Sequence, residues 1–75
     1  MAKILALTGM IHSKFSSESE MARKIGWSRQ RLYKITNGTK EPNLDEVRKM
    51  AGALERPVIE VAQIFLQTES PNGDN

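Results

Sequence analysis

The sequence SESEMARKIGWSRQRLYKITNG, residues 17–38, contains two short apolar runs separated by a single glycine, Gly26. The apolar residues of the two runs are Met21, Ala22 and Ile25, then Leu32 and Ile35. Their intervals of three and four residues match the period of one face of an α-helix. Glycine adopts the positive φ of a helix C-terminus without a Cβ clash. The stretch therefore predicts two short helices joined by a tight turn at Gly26.

Two serines occupy positions that suit the starts of these helices. Ser17 and Glu20 have the spacing of a capping box, in which the serine hydroxyl accepts the Glu20 amide and the glutamate carboxylate accepts the Ser17 amide. Ser28 is placed as the N-cap of the next helix. We therefore expect helices over about residues 18–25 and 29–36.

Three further helices are predicted outside this stretch. The first covers about residues 3–14, and its apolar stripe is Ile4, Leu7, Ile11 and Phe15. Asn37-Gly38 ends the third helix, and Asn43 is the N-cap of the fourth. The stripe of the fourth helix is Leu44, Val47, Met50, Ala51 and Leu54. Pro57 suits the start of a fifth helix, whose stripe is Val58, Val61, Ala62 and Phe65.

The chain shows no strand pattern and no internal repeat. The prediction is an all-α fold in which five helices of residues 1–67 surround one core. From residue 68 to residue 75 the sequence is polar and without periodicity, which predicts a disordered tail. A chain of 75 residues provides one domain at most and has little room for an enclosed active-site cavity.

Charge is distributed unevenly along the chain. Residues 14–40 carry seven Lys or Arg against two Glu, whereas residues 41–75 carry three Lys or Arg against seven Asp or Glu. This segregation is typical of a face that binds a polyanion, and the alternative is a solvated surface of mixed charge. The absence of cysteine fits a reducing compartment, and no apolar run is long enough to cross a bilayer. We therefore expect a cytoplasmic protein that does not enter a membrane.

The sequence contains no arrangement that is typical of catalysis. It shows no nucleophile–base pairing, no metal-ligand spacing and no glycine loop that would cradle a phosphate. His12, the single histidine, is expected on the surface of the first helix, and Trp27 is expected in the core beside the turn. The prediction is a protein that is not an enzyme and that uses no cofactor, metal or small-molecule substrate.

Residues 17–42 resemble the helix-turn-helix of the phage repressor and Cro-type DNA-binding proteins, a large bacterial and phage group related to the Xre repressor. The matching residues are Met21, Ala22, Ile25, Gly26, Trp27, Ser28, Gln30, Leu32, Ile35, Asn37, Gly38 and Pro42. The resemblance extends over about residues 4–65. It implies a lambda-repressor-like domain of five helices that binds double-stranded DNA as a transcriptional regulator, commonly as a dimer.

The resemblance places the third helix in the major groove, where its N-terminal residues meet base edges. Residues that match Arg29, Gln30 and Lys34 are the usual base readers of the family. Arginine suits the O6 and N7 acceptors of guanine, glutamine pairs with adenine N6 and N7, and lysine can donate one bond to guanine. Tyr33 is a further candidate for contact with a thymine methyl or a phosphate, and Arg31 is expected to contact a phosphate.

Contacts to the DNA backbone are expected at the starts and ends of the two helices. The positive end of a helix favours a phosphate, and the family contacts the DNA backbone at the start of its second helix. The expected backbone-contacting residues are Ser17, Glu18, Ser28, Arg31, Asn37, Thr39 and Lys40.

Three positions depart from the pattern of the family. Glu18 replaces a glutamine that often bonds a phosphate, and its carboxylate is expected to cap its own helix. Thr36 replaces a glutamate, and the usual arginine partner on the first helix is also absent, with Ile11 nearest that place. Losing both charges leaves neither of them unpaired. Pro57 replaces the Ser or Thr cap of the fifth helix.

Three aliphatic residues lie outside the predicted stripe of the fifth helix. They are Ile59, Ile64 and Leu66. A small monomer rarely exposes such a cluster, so we predict a homodimer interface there, with Met50 or Leu54 as further members. The alternative is a fifth helix that the core surrounds on all sides.

The main rival function is a protein-interaction module that uses the same fold without DNA. An antitoxin that binds both its toxin and its operator is a mixed case. The charge segregation favours DNA. Binding that falls steeply as salt rises would support the DNA function, whereas salt-insensitive binding of a protein partner would support the rival.

Overall fold

The computed structural model describes residues 4–68, and the predicted all-α fold is confirmed there. The five helices are α1 (Leu5–Lys14), α2 (Glu18–Ile25), α3 (Arg29–Thr36), α4 (Leu44–Leu54) and α5 (Val58–Thr68). Residues 4–68 contain no strand. Thr68 is the last residue of α5, and residues 69–75, which make up the rest of the predicted tail, lie outside the described part of the chain.

One apolar core receives side chains from every helix. α2 packs against α3 and α4, α4 packs against α5, and α1 contacts α2, α4 and α5. The fully or nearly fully buried apolar residues are Ile4, Leu7, Ile11, Met21, Ala22, Trp27, Leu32, Ile35, Val47, Met50, Ala51, Leu54, Val61 and Ile64. Trp27 is among them, as its position beside the turn predicts.

The turn between α2 and α3 has the predicted geometry. Gly26 has φ of 92°, in the left-handed region, and its N–H donates to the carbonyl of Ala22 over 2.9 Å. The N–H of Trp27 also donates to that carbonyl, over 2.8 Å. The Ser28 hydroxyl accepts the amide of Arg31 over 3.1 Å and caps α3. The small side chain of Ala22 is 1% exposed at this junction, where α2 and α3 lie close together.

The start of α2 differs from the predicted capping box in one bond. The Ser17 hydroxyl accepts the Glu20 amide over 3.1 Å, as predicted. The Glu20 carboxylate instead accepts the N–H and the hydroxyl of Ser16, over 2.7 and 2.8 Å. These bonds lower the pKa of Glu20. The carboxylate therefore reaches one residue further back than the predicted box, to the two donors of Ser16.

The N-terminal helix is joined to the end of α3. α1 begins at Leu5 rather than near residue 3, and the N–H of Ile4 donates to the carbonyl of Thr36 over 2.8 Å. A carbonyl at the end of a helix lacks an intrahelical donor, so this bond satisfies a group that would otherwise need water. Ile4, Leu7 and Ile11 then enter the core.

The second half of the chain departs from the predicted apolar stripes at two exposed positions. Val58 is 40% exposed and Leu44 is 61% exposed, whereas Ile64 is 7% exposed. Val61 and Ile64 of α5 therefore lie in the core, whereas Val58, the first residue of the helix, lies outside it. Pro57 precedes α5, and its carbonyl accepts the amide of Glu60 over 3.0 Å.

Candidate nucleic-acid interface

One face of α3 is apolar and buried, and the opposite face is polar and exposed. Leu32, Ile35 and Thr36 are fully buried. The side chains on the outer face are Arg29, Gln30, Tyr33 and Lys34, and all four are exposed. Their spacing places them on two adjacent turns of one helix side. α3 therefore presents a continuous strip of one aromatic ring, one amide and two cations.

A loop with several internal hydrogen bonds follows α3. The Asn37 side-chain oxygen accepts both the N–H and the hydroxyl of Thr39, over 3.0 and 2.6 Å. The amides of Thr39 and Lys40 donate to the carbonyl of Lys34 over 2.9 and 3.0 Å. Gly38 permits the reversal, with φ of 83°. These bonds fix the expected backbone-contacting residues Asn37, Thr39 and Lys40 against the end of α3.

Thr36 and Glu18, two of the residues that depart from the family pattern, are joined by a hydrogen bond. The hydroxyl of Thr36, which is fully buried, donates to the Glu18 carboxylate over 3.1 Å and also lies 3.1 Å from the carbonyl of Tyr33. Glu18 therefore joins the start of α2 to the end of α3, a bond that the predicted capping of its own helix did not include. Ser17, at the N-cap of α2, lies next to this bond.

A buried carboxylate, Glu46, lies behind α3. Glu46 is 2% exposed, although it lies in the first turn of α4. Its Oε2 accepts Nε and Nη2 of Arg31 over 3.2 and 2.9 Å. Its Oε1 accepts Nζ of Lys40 over 2.6 Å and the amide of Asn43 over 2.9 Å. The Arg31 guanidinium also lies over the Trp27 ring, 4.5 Å from its centroid.

The hydrogen bonds around Glu46 favour its charged form. Burial alone would raise the pKa of a carboxyl. The bonds from Lys40, from the Asn43 amide and from Arg31 outweigh burial and lower the pKa of Glu46 to about 2. The predicted N-cap Asn43 is confirmed, and it forms a capping box with Glu46 in which both bonds are present. The two cations were not predictable in this role, because they join Glu46 only once α3 packs near α4.

Comparison with known proteins decides the family to which this architecture belongs. The model of a family described as helix-turn-helix, of the Cro/C1 type, matches residues 16–61, which is more than half of the chain. The chain belongs to the Cro/C1-type helix-turn-helix family. This is a family of DNA-binding transcription regulators. No curated protein and no solved structure matches the chain.

The match covers the whole helix-turn-helix unit and the residues on its exposed face. It begins at Ser16, just before the N-cap of α2, and ends at Val61, inside α5. The exposed strip of α3 and the loop after it are therefore parts of a Cro/C1-type DNA-binding domain. In residues 4–68, no helix has the length and apolar character needed to span a membrane.

The predicted dimer residues of this helix-turn-helix protein separate into two groups. Ile59 is 63% exposed and Leu66 is 65% exposed, so both lie on the outer side of α5. Ile64 is 7% exposed and packs into the core, so its assignment to a dimer surface is corrected. Met50 and Leu54, the suggested further members, are also buried. The correction follows from the rotation of α5, which turns Val61 and Ile64 inward together.

Proposed function

We propose that this protein is a sequence-specific transcriptional regulator of the phage or prophage Cro/repressor type, acting in the cytoplasm with α3 in the major groove of double-stranded DNA. The observation that carries the proposal is the exposed strip of α3 described above. Its N-terminal end carries the exposed side chains of Arg29 and Gln30, and its opposite face is fully buried. A helix of this kind meets base edges with its first residues.

The chemistry of each exposed side chain assigns it a partner. Arg29 matches the O6 and N7 acceptors of guanine, and Gln30 can exchange two hydrogen bonds with adenine. Lys34, one turn further along, donates a single bond to guanine. Tyr33 is 44% exposed on the same side and offers its ring to a thymine methyl or its hydroxyl to a phosphate. These four residues form the proposed reading set.

The backbone contacts follow from the ends of the helices. The start of α2 provides Ser17 and the amide of Glu18, and the start of α3 provides Ser28. Asn37 and Thr39 reach the second DNA strand from the loop after α3, whereas Nζ of Lys40, the third residue expected there, is bonded to Glu46. Helix N-termini favour phosphates, and such contacts position the reading helix without reading sequence themselves.

The exposed residues of α5 support a dimer. Ile59 and Leu66 are seven residues apart in sequence, which places them on one side of the helix. Burying them against a second copy would remove two large aliphatic side chains from water. A two-fold dimer of such domains would bind an inverted repeat whose half-sites lie about 34 Å apart, one duplex turn.

Selection of bound duplexes from a random library with the purified protein tests the proposed function. Enrichment of an inverted repeat is expected. A single unrepeated motif would support DNA reading without dimeric docking. Absence of any enrichment at low salt would reject the proposal and favour the rival, a protein-interaction or antitoxin-like module.

A matched pair of variants shows whether α3 does the reading. Arg29→Ala and Arg48→Ala each remove one exposed arginine, the first from α3 and the second from α4. We expect Arg29→Ala to abolish enrichment at one base position of the selected motif, and Arg48→Ala to leave the motif unchanged. The reverse result would place the reading surface elsewhere.

A further inference from the structure

Glu46 bonds α3, the proposed reading helix, and the loop that follows it. It lies in the first turn of α4, and its side chain is 3% exposed, compared with 46% for Arg31 and 40% for Lys40. It bonds the first turn of α3 through Arg31 and the loop after α3 through Lys40. One carboxylate therefore joins α4 both to the first turn of α3 and to the loop after α3.

The geometry around Arg31 restrains that side chain more than an ion pair alone would. Nε and Nη2 both donate to the same carboxylate oxygen, and Cζ of the guanidinium lies over the buried Trp27 ring, 4.5 Å from its centroid. Arginine forms such forked and stacked contacts, and lysine does not. Arg31 is thus bonded both to the turn before α3 and to α4.

Moving Arg31 to a phosphate would be costly for the same reason. Its departure would remove two hydrogen bonds from a carboxylate that water hardly reaches. A buried charge that loses a partner destabilises the state in which this happens. Glu46 also balances one of the two positive charges that Arg31 and Lys40 bring to it, which weakens the attraction of this pair for DNA.

We propose that Glu46 and Arg31 form a positioning pair that fixes the orientation of α3, so that Arg31 contributes to specificity through Gln30 and Lys34 rather than as a phosphate contact. This inference rests on the proposed function and revises the expected role of one residue within it. Lys40 and the Asn43 amide fix the second oxygen of Glu46 and thereby the orientation of its carboxylate.

Two substitutions of Arg31 separate positioning from phosphate contact. Arg31→Lys keeps the charge but loses the forked and stacked contacts, and Arg31→Ala loses both. Binding of each to the selected site and to random duplex is measured over a range of salt, well below the melting temperature. Arg48→Lys and Arg48→Ala, on the exposed side of α4, are the matched controls.

If the pair positions α3, both Arg31 variants lose about tenfold in the ratio of specific to random binding, and the salt dependence on random DNA stays the same. Glu46→Gln loses a similar ratio, and adding Arg31→Lys to it causes little further loss, because the two residues act as one unit. The Arg48 controls keep the ratio of the unmodified protein.

A phosphate contact gives a different result. Arg31→Lys would then keep the binding of the unmodified protein, and Arg31→Ala would lower the salt slope by about one at an unchanged ratio. That outcome would overturn the inference while leaving the proposed function intact. If the unmodified protein prefers no sequence at all, the proposed function fails and the inference fails with it.

Discussion

Gln30 and Arg29 are neighbours in the first turn of α3, and both are exposed, but their chemistry suits different bases. The arginine fork matches two acceptors of guanine, whereas the amide of glutamine matches one donor and one acceptor of adenine. No base other than adenine presents one donor and one acceptor side by side in the major groove. Gln30 therefore offers the cleanest single-residue test of reading.

Gln30→Ala should weaken binding to the selected site by about 1–3 kcal/mol and relax specificity at one base position. The loss arises because the base keeps its donor and acceptor but loses their partner. Titration of the selected duplex and of its single-base variants measures the effect. Gln67→Ala, which removes an exposed amide from α5, is the control. An equal loss on random DNA would contradict a base-reading role.

Glu46 makes the stability of the fold sensitive to acid. Its pKa is about 2 in the folded protein, compared with an ordinary value of 4.5 for a glutamate carboxyl. A carboxyl with a lowered folded pKa stabilises the fold above its unfolded pKa, and this contribution is lost as the pH falls. The window of loss therefore extends from about pH 4.5 down to about pH 2.

We expect Glu46→Gln to lower the free energy of unfolding at neutral pH by about 1–3 kcal/mol, since it removes charge-assisted hydrogen bonds from a buried site. The difference from the unmodified protein should shrink as the pH falls through the window. Urea unfolding at several pH values measures it. Asp45→Asn, at a side chain that is 69% exposed, should show no such convergence. A difference independent of pH would contradict the assignment.

Among the elements, the junction of α4 and α5 has the least favourable backbone. Glu55 ends α4 with φ of 58°, a left-handed conformation that glycine adopts most readily. Its carboxylate bonds Lys14 over 2.8 Å, and this bond lowers the pKa of Glu55. Both side chains are well exposed, so the ion pair contributes little. Backbone strain should therefore dominate the effect of substitution.

Glu55→Gly should raise the Tm by a few degrees, because glycine removes the steric cost of the left-handed conformation. Thermal unfolding followed by circular dichroism measures the shift. Glu55→Gln, which keeps the conformation and removes the ion pair, should leave the Tm nearly unchanged. A lower Tm for Glu55→Gly would show that the ion pair with Lys14 matters more than the backbone.

The elements also show how far sequence patterns reach. Capping residues predicted the starts of α2, α3 and α4, because Ser17, Ser28 and Asn43 each act on an amide three residues away. The predicted buried face of α5 was wrong at two residues, since Val58 is exposed and Ile64 is buried. That helix is apolar on most sides, so its period is compatible with more than one buried face.

The sequence predicted the exposed residues of the candidate interface but not the buried Glu46 that supports them. The exposure of Gln30 and Lys34 follows from the burial of Leu32 and Ile35 on the same helix. The burial of Glu46 does not follow from any local pattern, since it depends on the approach of α3 to α4. Residues that act across two elements need the tertiary structure to be recognised.

At the scale of the whole molecule, the proposed dimer interface is the outer side of α5. Ile59→Glu combined with Leu66→Glu should shift the protein to a monomer and weaken binding to an inverted repeat, because two charges would have to be buried in the dimer. Sedimentation velocity measures the state of assembly. The Tm of the monomer should change little, since both residues are exposed.

Two further substitutions make the dimer test specific. Gln67→Glu adds a charge to the same helix without removing an aliphatic residue, and it should leave assembly nearly unchanged. Ile64→Ala should instead lower stability by about 2–5 kcal/mol, as expected for a truncated core residue. Dimers that persist in the double variant would exclude α5 as the interface.

The hydrogen bond from Ile4 to Thr36 bears on how the protein can be joined to other molecules. At this N-terminal end of the chain, the backbone of Ile4 therefore lies beside Thr36, the last residue of α3. A purification tag or fluorescent protein fused at that end would therefore crowd the expected path of a DNA strand. Reporters for binding experiments belong after α5, at the other end of the chain.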